Sequence, residues 1–157
     1  MLGKKRRMVR DFTLQNHRAE SFNLRAKLAD GPVCLVFFPL AFSPVCSAEL
    51  TELEQRLDRF RAAGVTLVAV SVDSPHAPRE YREQQGLSFE LLSDFWPHGA
   101  VAKQFGAFNA ERGHATRTTV FIGSDGVLLK RFTALPGTKR SLDDYLRALK
   151  SVSAQQD

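Results

Sequence analysis

Apolar residues along the chain follow two different periods, and the switch between them marks out most of its elements. Val33 to Phe38 reads VCLVFF, an unbroken apolar run of six with β-branched and aromatic members. Such a run predicts a central strand buried on both faces, closed by Pro39. VTLVAVSV, Val65 to Val72, predicts a second strand of the same kind. Between the two the period lengthens. From Pro44 onward Val45, Leu50, Leu53, Leu57 and Phe60 recur at helical spacing until Gly64 supplies a stop, which predicts one helix of roughly five turns.

The flanking segments are shorter and mixed. DFTLQNHRAESFNL predicts two extended pieces about a polar turn at Gln15 to Arg18, and AKLADGP a turn before the first buried strand. Ser74, Pro75 and the charged run REYREQQG predict a capped helix ending near Gly86, followed by a short strand in ELLSD and a short helix in HGAVAKQFGAF. RTTVFIGSDGVLLKRF predicts two strands about a tight turn at Ser124 to Gly126. SLDDYLRALKSV predicts a closing helix with Ser141 as N-cap and with Asp143 and Asp144 complementing the dipole in the first turn. Strands alternating with helices, then an antiparallel hairpin and a last helix, predict an α/β fold: a mixed central sheet with helices on both faces and an N-terminal β-hairpin, which is a thioredoxin-like architecture. No repeat or linker interrupts the pattern, so residues 1–157 are expected to form a single domain.

Composition narrows the functional classes. The 43% apolar and 25% charged residues are ordinary for a globular chain, and 157 residues suffice for one core. Two cysteines, Cys34 and Cys46, are too few for a disulfide framework and suit a reducing cytoplasm. The opening MLGKKRRMVRDFTL is basic, but no continuous apolar run follows it, so neither a secretory signal nor a membrane partner is expected. The net charge of +5 and the run Lys4, Lys5, Arg6, Arg7 raise the question of nucleic acid. Elsewhere, as in ELTELEQRLDRFRAAG, basic and acidic residues interleave as on a solvated helix face, and no nucleic-acid partner is expected. His17, His76, His98 and His114 lack ligand spacing, so neither a metal nor another cofactor is expected.

One residue carries chemistry by its position. Ser43 precedes Pro44 where an N-cap belongs, which puts Pro44, Val45 and Cys46 at the first three helical positions. Amides of a first turn have no intrahelical partner and the dipole adds partial positive charge, so a thiolate is favoured there over a thiol. A reactive sulfur is one reading of Cys46, and a small buried hydrophobe is the other.

The spacing of Pro39, Ser43 and Cys46 resembles the active-site motif of the peroxiredoxin family, in which Pro, then Thr or Ser, then the reacting Cys stand at these intervals. DFTL, VFFPLAFSPVCSAEL, VAVSVDSP, LSDFWPHGAVAKQFG, RTTVFIGSDG and a C-terminal helix follow in family order over nearly the whole chain. FWPHGAVAKQFG is similar to the one-cysteine group that resembles alkyl hydroperoxide reductase E. Ser43 replaces the commoner Thr, keeping the hydroxyl but losing a methyl that helps fix its rotamer, and Val9 with Arg10 stands where Ala-Pro is frequent.

The resemblance implies a thiol-dependent peroxidase that reduces hydrogen peroxide, organic hydroperoxides or peroxynitrite through a sulfenic acid at Cys46. By the same resemblance Ser43 and the N–H of Cys46 bind the peroxide, Pro39 shields the thiolate, Arg117 reaches the sulfur from an adjacent strand, and Glu49 orients Arg117. Cys34 lies in the buried run VCLVFF and is expected to be a core thiol, leaving regeneration to an external small thiol or a redoxin. A homodimer or higher homo-oligomer is implied as well, with Phe95, Trp96 and Phe105 serving the core or a subunit contact.

Two other functions share this fold class. A thiol-disulfide oxidoreductase needs a second cysteine shortly after the first, and SPVCSAEL offers none. A non-enzymatic holdase that kept the fold and lost catalysis is the other alternative, against which Pro39, Ser43, Cys46 and Arg117 all stand intact.

Overall fold

Strand β3 (Val33–Phe37) is buried along its whole length, and the rest of the molecule is arranged to cover its two faces. The computed structural model describes residues 7–156, so Lys4, Lys5 and Arg6 of the basic run lie outside the described residues. The other strands are β1 (Thr13–Asn16), β2 (Ser21–Asn23), β4 (Thr66–Ser71), β5 (Glu90–Ser93), β6 (Phe108–Asn109), β7 (His114–Ala115), β8 (Thr118–Ile122) and β9 (Leu128–Thr133). The helices are α1 (Leu24–Leu28), α2 (Pro44–Gln55), α3 (Leu57–Ala62), α4 (His76–Gln85), α5 (Ala100–Gln104) and α6 (Leu142–Gln156).

Seven strands form one mixed sheet in the order β2-β1-β5-β4-β3-β8-β9. Strand β3 pairs parallel with β4 and antiparallel with β8, which makes it central, as its unbroken apolar run requires. Alternation along it divides the core. Cys34 and Val36 join Leu50, Leu53, Phe60 and Tyr145 on one face, whereas Val33, Leu35 and Phe37 join Phe12, Leu24, Val101 and Phe105 on the other. Helices therefore cover both faces, and β1 with β2 forms the N-terminal hairpin.

Three local features differ from the periodicity. The helix expected from Pro44 to Gly64 breaks at Arg56 (φ −114°, ψ 13°), whose N–H bonds to Leu53 O instead of continuing the four-residue ladder. Leu53, Leu57 and Phe60 remain buried across the break, because apolar spacing fixes a face and not the continuity of the backbone. The segment read as a turn holds α1, started by the Asn23 side chain, which accepts from Ala26 N at 2.9 Å. The hairpin turn falls after Asn16, whose side chain accepts from Arg18 N at 2.8 Å and Glu20 N at 3.0 Å, an Asx-type turn two residues later than the polar cluster suggests.

Register brings the functional elements together. The chain leaves the carboxyl end of β3 through residues 38–43 and enters α2, while β8 runs antiparallel with Thr119 opposite Val36. Continuing that register puts Arg117, just before β8, beside the end of β3 and the start of α2. The parallel strand β4 ends at the same edge with Ser71.

Two glycines test the connections. Gly86 closes α4 at φ 65° with open space where a Cβ would stand, and Gly31, before β3, has φ 134° with the Gly64 carbonyl oxygen 2.8 Å from that position. Gly86→Ala is expected to cost about 1 kcal/mol in urea denaturation, the backbone penalty alone. Gly31→Ala should cost clearly more, since two backbone segments must also separate, and equal losses would contradict this account of the loop.

Candidate active site

Helix α2 begins where the residue types direct it. Ser43 is the N-cap with extended backbone (φ −69°, ψ 136°), Pro44 is the first helical residue, and Cys46 follows in the first turn. The Ser43 side chain makes no capping hydrogen bond, contrary to the usual service of such a residue, so its hydroxyl is left for other partners. Cys46, Glu49, Leu50 and Leu53 are the buried residues of α2, at the spacing of one helix face. Cys46 has no exposed surface, and both cysteines are unpaired thiols.

The loop before α2 is tied to β4. Asp73 Oδ2 accepts from Ala41 N at 2.9 Å and from Ser71 Oγ at 2.7 Å, fixing the segment between Pro39 and Ser43. Pro39 is half-buried and ends β3 as the sequence predicts, because it has no N–H to extend the ladder.

Glu49 is 2% exposed and carries two guanidinium partners. Arg117 Nη1 donates to Oε1 at 3.2 Å. Arg140 donates through Nη2 to Oε1 at 2.6 Å, through Nε to Oε2 at 3.0 Å, and through its backbone N–H to Oε2 at 2.6 Å. The remaining Arg140 nitrogen, Nη1, donates to Thr119 Oγ1 at 3.1 Å, and Thr119 in turn meets Tyr145 Oη at 2.8 Å. Burial opposes the charge of Glu49, but the hydrogen bonds and charge of Arg140, with a smaller contribution from Arg117, hold its carboxyl below the ordinary glutamate range. Among the described residues Arg117 Nε is buried and has no hydrogen-bond partner.

The structure therefore joins Arg117 to Glu49 and sets Glu49 on the same helix face as Cys46. Arg140 is the participant that pattern reading missed. It sits in KRSLDD just before α6, where a basic residue reads as solvated, and only the buried Glu49 signals that a second cation must face it. Cys34 lies in the core beneath α2 and α6 with no exposed surface, and burial pushes its thiol well above the usual range. Phe105 is a core residue, whereas Phe95 and Trp96 are exposed. Among the described residues no group of three His, Cys, Asp or Glu side chains could hold a metal, and no helix is long and apolar enough to cross a membrane.

The chain has relatives in sequence and in fold. The sequence matches the model of the AhpC/TSA family over residues 6–131. It is 37% identical over 144 residues to alkyl hydroperoxide reductase E of Mycobacterium tuberculosis and of Mycobacterium bovis, covering 92% of this chain and 94% of theirs. The crystal structure of peroxidoxin BcpB from Mycobacterium tuberculosis superposes with a TM-score of 0.83 at 29% identity, covering 95% of this chain and 96% of that one. The reduced 2-Cys peroxiredoxin of Plasmodium vivax superposes with a TM-score of 0.84 at 23% identity, covering 96% of each chain, a likeness of fold.

The ion cluster predicts a dependence of stability on pH. A carboxyl whose folded pKa is depressed contributes stability that is present above its unfolded pKa, about 4.3 for glutamate, and is lost as pH falls toward the lower folded value. Denaturation of the wild type should therefore steepen with acid below that point, and Glu49→Gln should flatten this limb while lowering stability at neutral pH. An acid limb identical in the two proteins would contradict the assignment.

Proposed function

The chain belongs to the AhpC/TSA family and is a peroxiredoxin, a thiol-dependent peroxidase, and we propose that its reacting sulfur is that of Cys46. The observation that carries this reading is the first turn of α2. It holds Cys46 on one helix face with Glu49, which grips Arg117 while a buried N–H of that guanidinium stays unpartnered.

In this reading the Cys46 thiolate attacks one oxygen of the peroxide. An S–O bond forms, the O–O bond breaks, and its electron pair leaves with the distal oxygen, which takes a proton and departs as water or an alcohol or, from peroxynitrite, departs as nitrite. Arg117 supplies a fixed positive charge and a spare donor to the oxygens on which negative charge develops. Ser43, whose hydroxyl is not spent on the helix, donates to the same atoms, as does the N–H of Cys46. Pro39 walls the thiolate from bulk water. Glu49 and Arg140 touch no substrate and position Arg117. Hydrogen peroxide, organic hydroperoxides and peroxynitrite all present the O–O bond this arrangement addresses.

The product at Cys46 is a sulfenic acid. Cys34 is sealed in the core and poorly acidic, which supports a one-cysteine cycle restored by an external thiol or redoxin. Two unpaired thiols suit a cytoplasmic setting. The exposed Phe95 and Trp96 suit burial against a second copy as a homodimer.

Intact mass after one equivalent of hydrogen peroxide should show one added oxygen on the wild type and on Cys34→Ser, and none on Cys46→Ser. Arg117→Ala should slow this oxidation by about 10²-fold to 10³-fold, the effect of removing one charge-stabilising donor. A prompt disulfide between Cys34 and Cys46 would overturn the one-cysteine cycle.

A further inference from the structure

Arg117 is held to the site by little. Among the described residues its guanidinium makes one hydrogen bond, from Nη1 to Glu49 Oε1 at 3.2 Å, and its buried Nε makes none. The same Oε1 accepts from Arg140 Nη2 at 2.6 Å, so the tighter partner decides where that oxygen stands. Whatever holds Arg140 therefore sets Arg117. Arg140 and Glu49 clasp each other through three bonds, which join α2 only to the segment before α6. Apart from Arg117 itself, their hydrogen-bonded tie to the sheet is the remaining contact, Arg140 Nη1 to Thr119 Oγ1 at 3.1 Å.

The Arg117 carbonyl accepts from Ala134 N at 2.9 Å, which carries the β8–β9 ladder on to Arg117. Thr119 stands two residues further along, so both side chains project from one face of the strand and the Glu49–Arg140 pair bridges them. Thr119 has no exposed surface. Its hydroxyl could occupy any of three staggered positions, and Tyr145 Oη, 2.8 Å from Thr119 Oγ1, ties it to the one that receives Arg140. Tyr145 comes from α6 and is 1% exposed. Its ring meets Phe132 edge-on at 5.1 Å and Phe60 edge-on at 6.3 Å, contacts that need no hydroxyl. Burial pushes its phenol up, so the proton stays in place throughout the neutral range.

We propose that Tyr145 is a positioning residue for the peroxide reaction, its hydroxyl fixing Thr119 and, through Arg140, the Glu49 oxygen against which Arg117 is set. The inference rests on the roles given above to Cys46 and Arg117. Tyr145 touches no substrate. Loss of its hydroxyl frees the Thr119 rotor and loosens Arg140 Nη1, and the shared Glu49 oxygen then shifts at the expense of its longer bond, the one to Arg117. The last helix thereby becomes part of the support of the reaction centre.

Tyr145→Phe removes the hydroxyl and keeps the ring contacts. The second-order rate constant for hydrogen peroxide is measured by stopped flow across pH on reduced full-length protein, for the wild type, Tyr145→Phe, Arg117→Ala and the double variant. Tyr145→Phe should react about fivefold more slowly, the effect of one neutral hydrogen bond, and the deficit should persist on the alkaline plateau where Cys46 is fully thiolate. In the Arg117→Ala background the same substitution should change the rate less than about twofold, because the group it positions is gone. An equal factor in both backgrounds, the mark of a merely structural role, or an unchanged rate in Tyr145→Phe, overturns the inference alone. Thr119→Ser, which keeps the hydroxyl, should stay within about twofold of the wild type, and Thr119→Val should fall by about fivefold or more. Equal rates for these two overturn the inference even where Tyr145→Phe does not fold. Failure of the wild type to form any sulfenic acid at Cys46 overturns the functional reading and this inference together.

Discussion

A buried carboxylate between two guanidinium groups is the constraint on which the site depends. Glu49 comes from α2, Arg117 from the entrance to β8, and Arg140 from the segment leading into α6, so one cluster of charges joins three elements distant in sequence. Taking these charges out of water is costly unless each is paired and hydrogen-bonded. Both Glu49 oxygens are engaged, and the fork of Arg140 is filled by Glu49 and Thr119. Removing one partner leaves a buried charge uncompensated, which typically costs about 3–5 kcal/mol. The geometry is thus held by a penalty for departing from it more than by net attraction. The exposed pairs Lys139–Glu52 and Arg147–Asp144 lie on the surface, where such contacts contribute about 0–1 kcal/mol.

The same cluster explains why Arg117 stays buried against Glu49 when an arginine at a strand end would ordinarily seek solvent. Glu49 sits one helical turn after Cys46 on the buried face of α2, and the sheet register sets Arg117 beside the start of that helix. Position of the sulfur therefore follows from secondary structure, and position of the cation follows from electrostatics. In the proposed mechanism neither alone makes a reaction centre. Asp73 supplies the third fixed point by holding the Ala41 amide, so the loop bearing Pro39 and Ser43 cannot drift from the helix it introduces.

Much of this was legible in the residues. Continuous apolar runs identified β3 and β4, turn residues identified the β8–β9 hairpin, and Ser43-Pro44 identified the helix entrance that holds Cys46. What escaped has a common cause: pattern reading sees faces and punctuation, not pairings across the fold. Arg56 breaks the helix without disturbing the apolar stripe, so periodicity could not register it. Helix α1 is only five residues long and depends on the Asn23 side chain for its start. Arg140 and Tyr81 stand in charged stretches that look solvated, and each is buried because a partner on another element receives it.

The central claim is that Glu49, without touching substrate, governs the reaction by holding Arg117. It is tested most directly by the second-order rate constant for hydrogen peroxide with reduced Glu49→Gln, measured by stopped flow on protein whose circular dichroism matches the wild type. The account predicts a fall of at least about tenfold, because Gln keeps the shape but loses the charge that fixes the guanidinium. A folded Glu49→Gln reacting at the wild-type rate would contradict it.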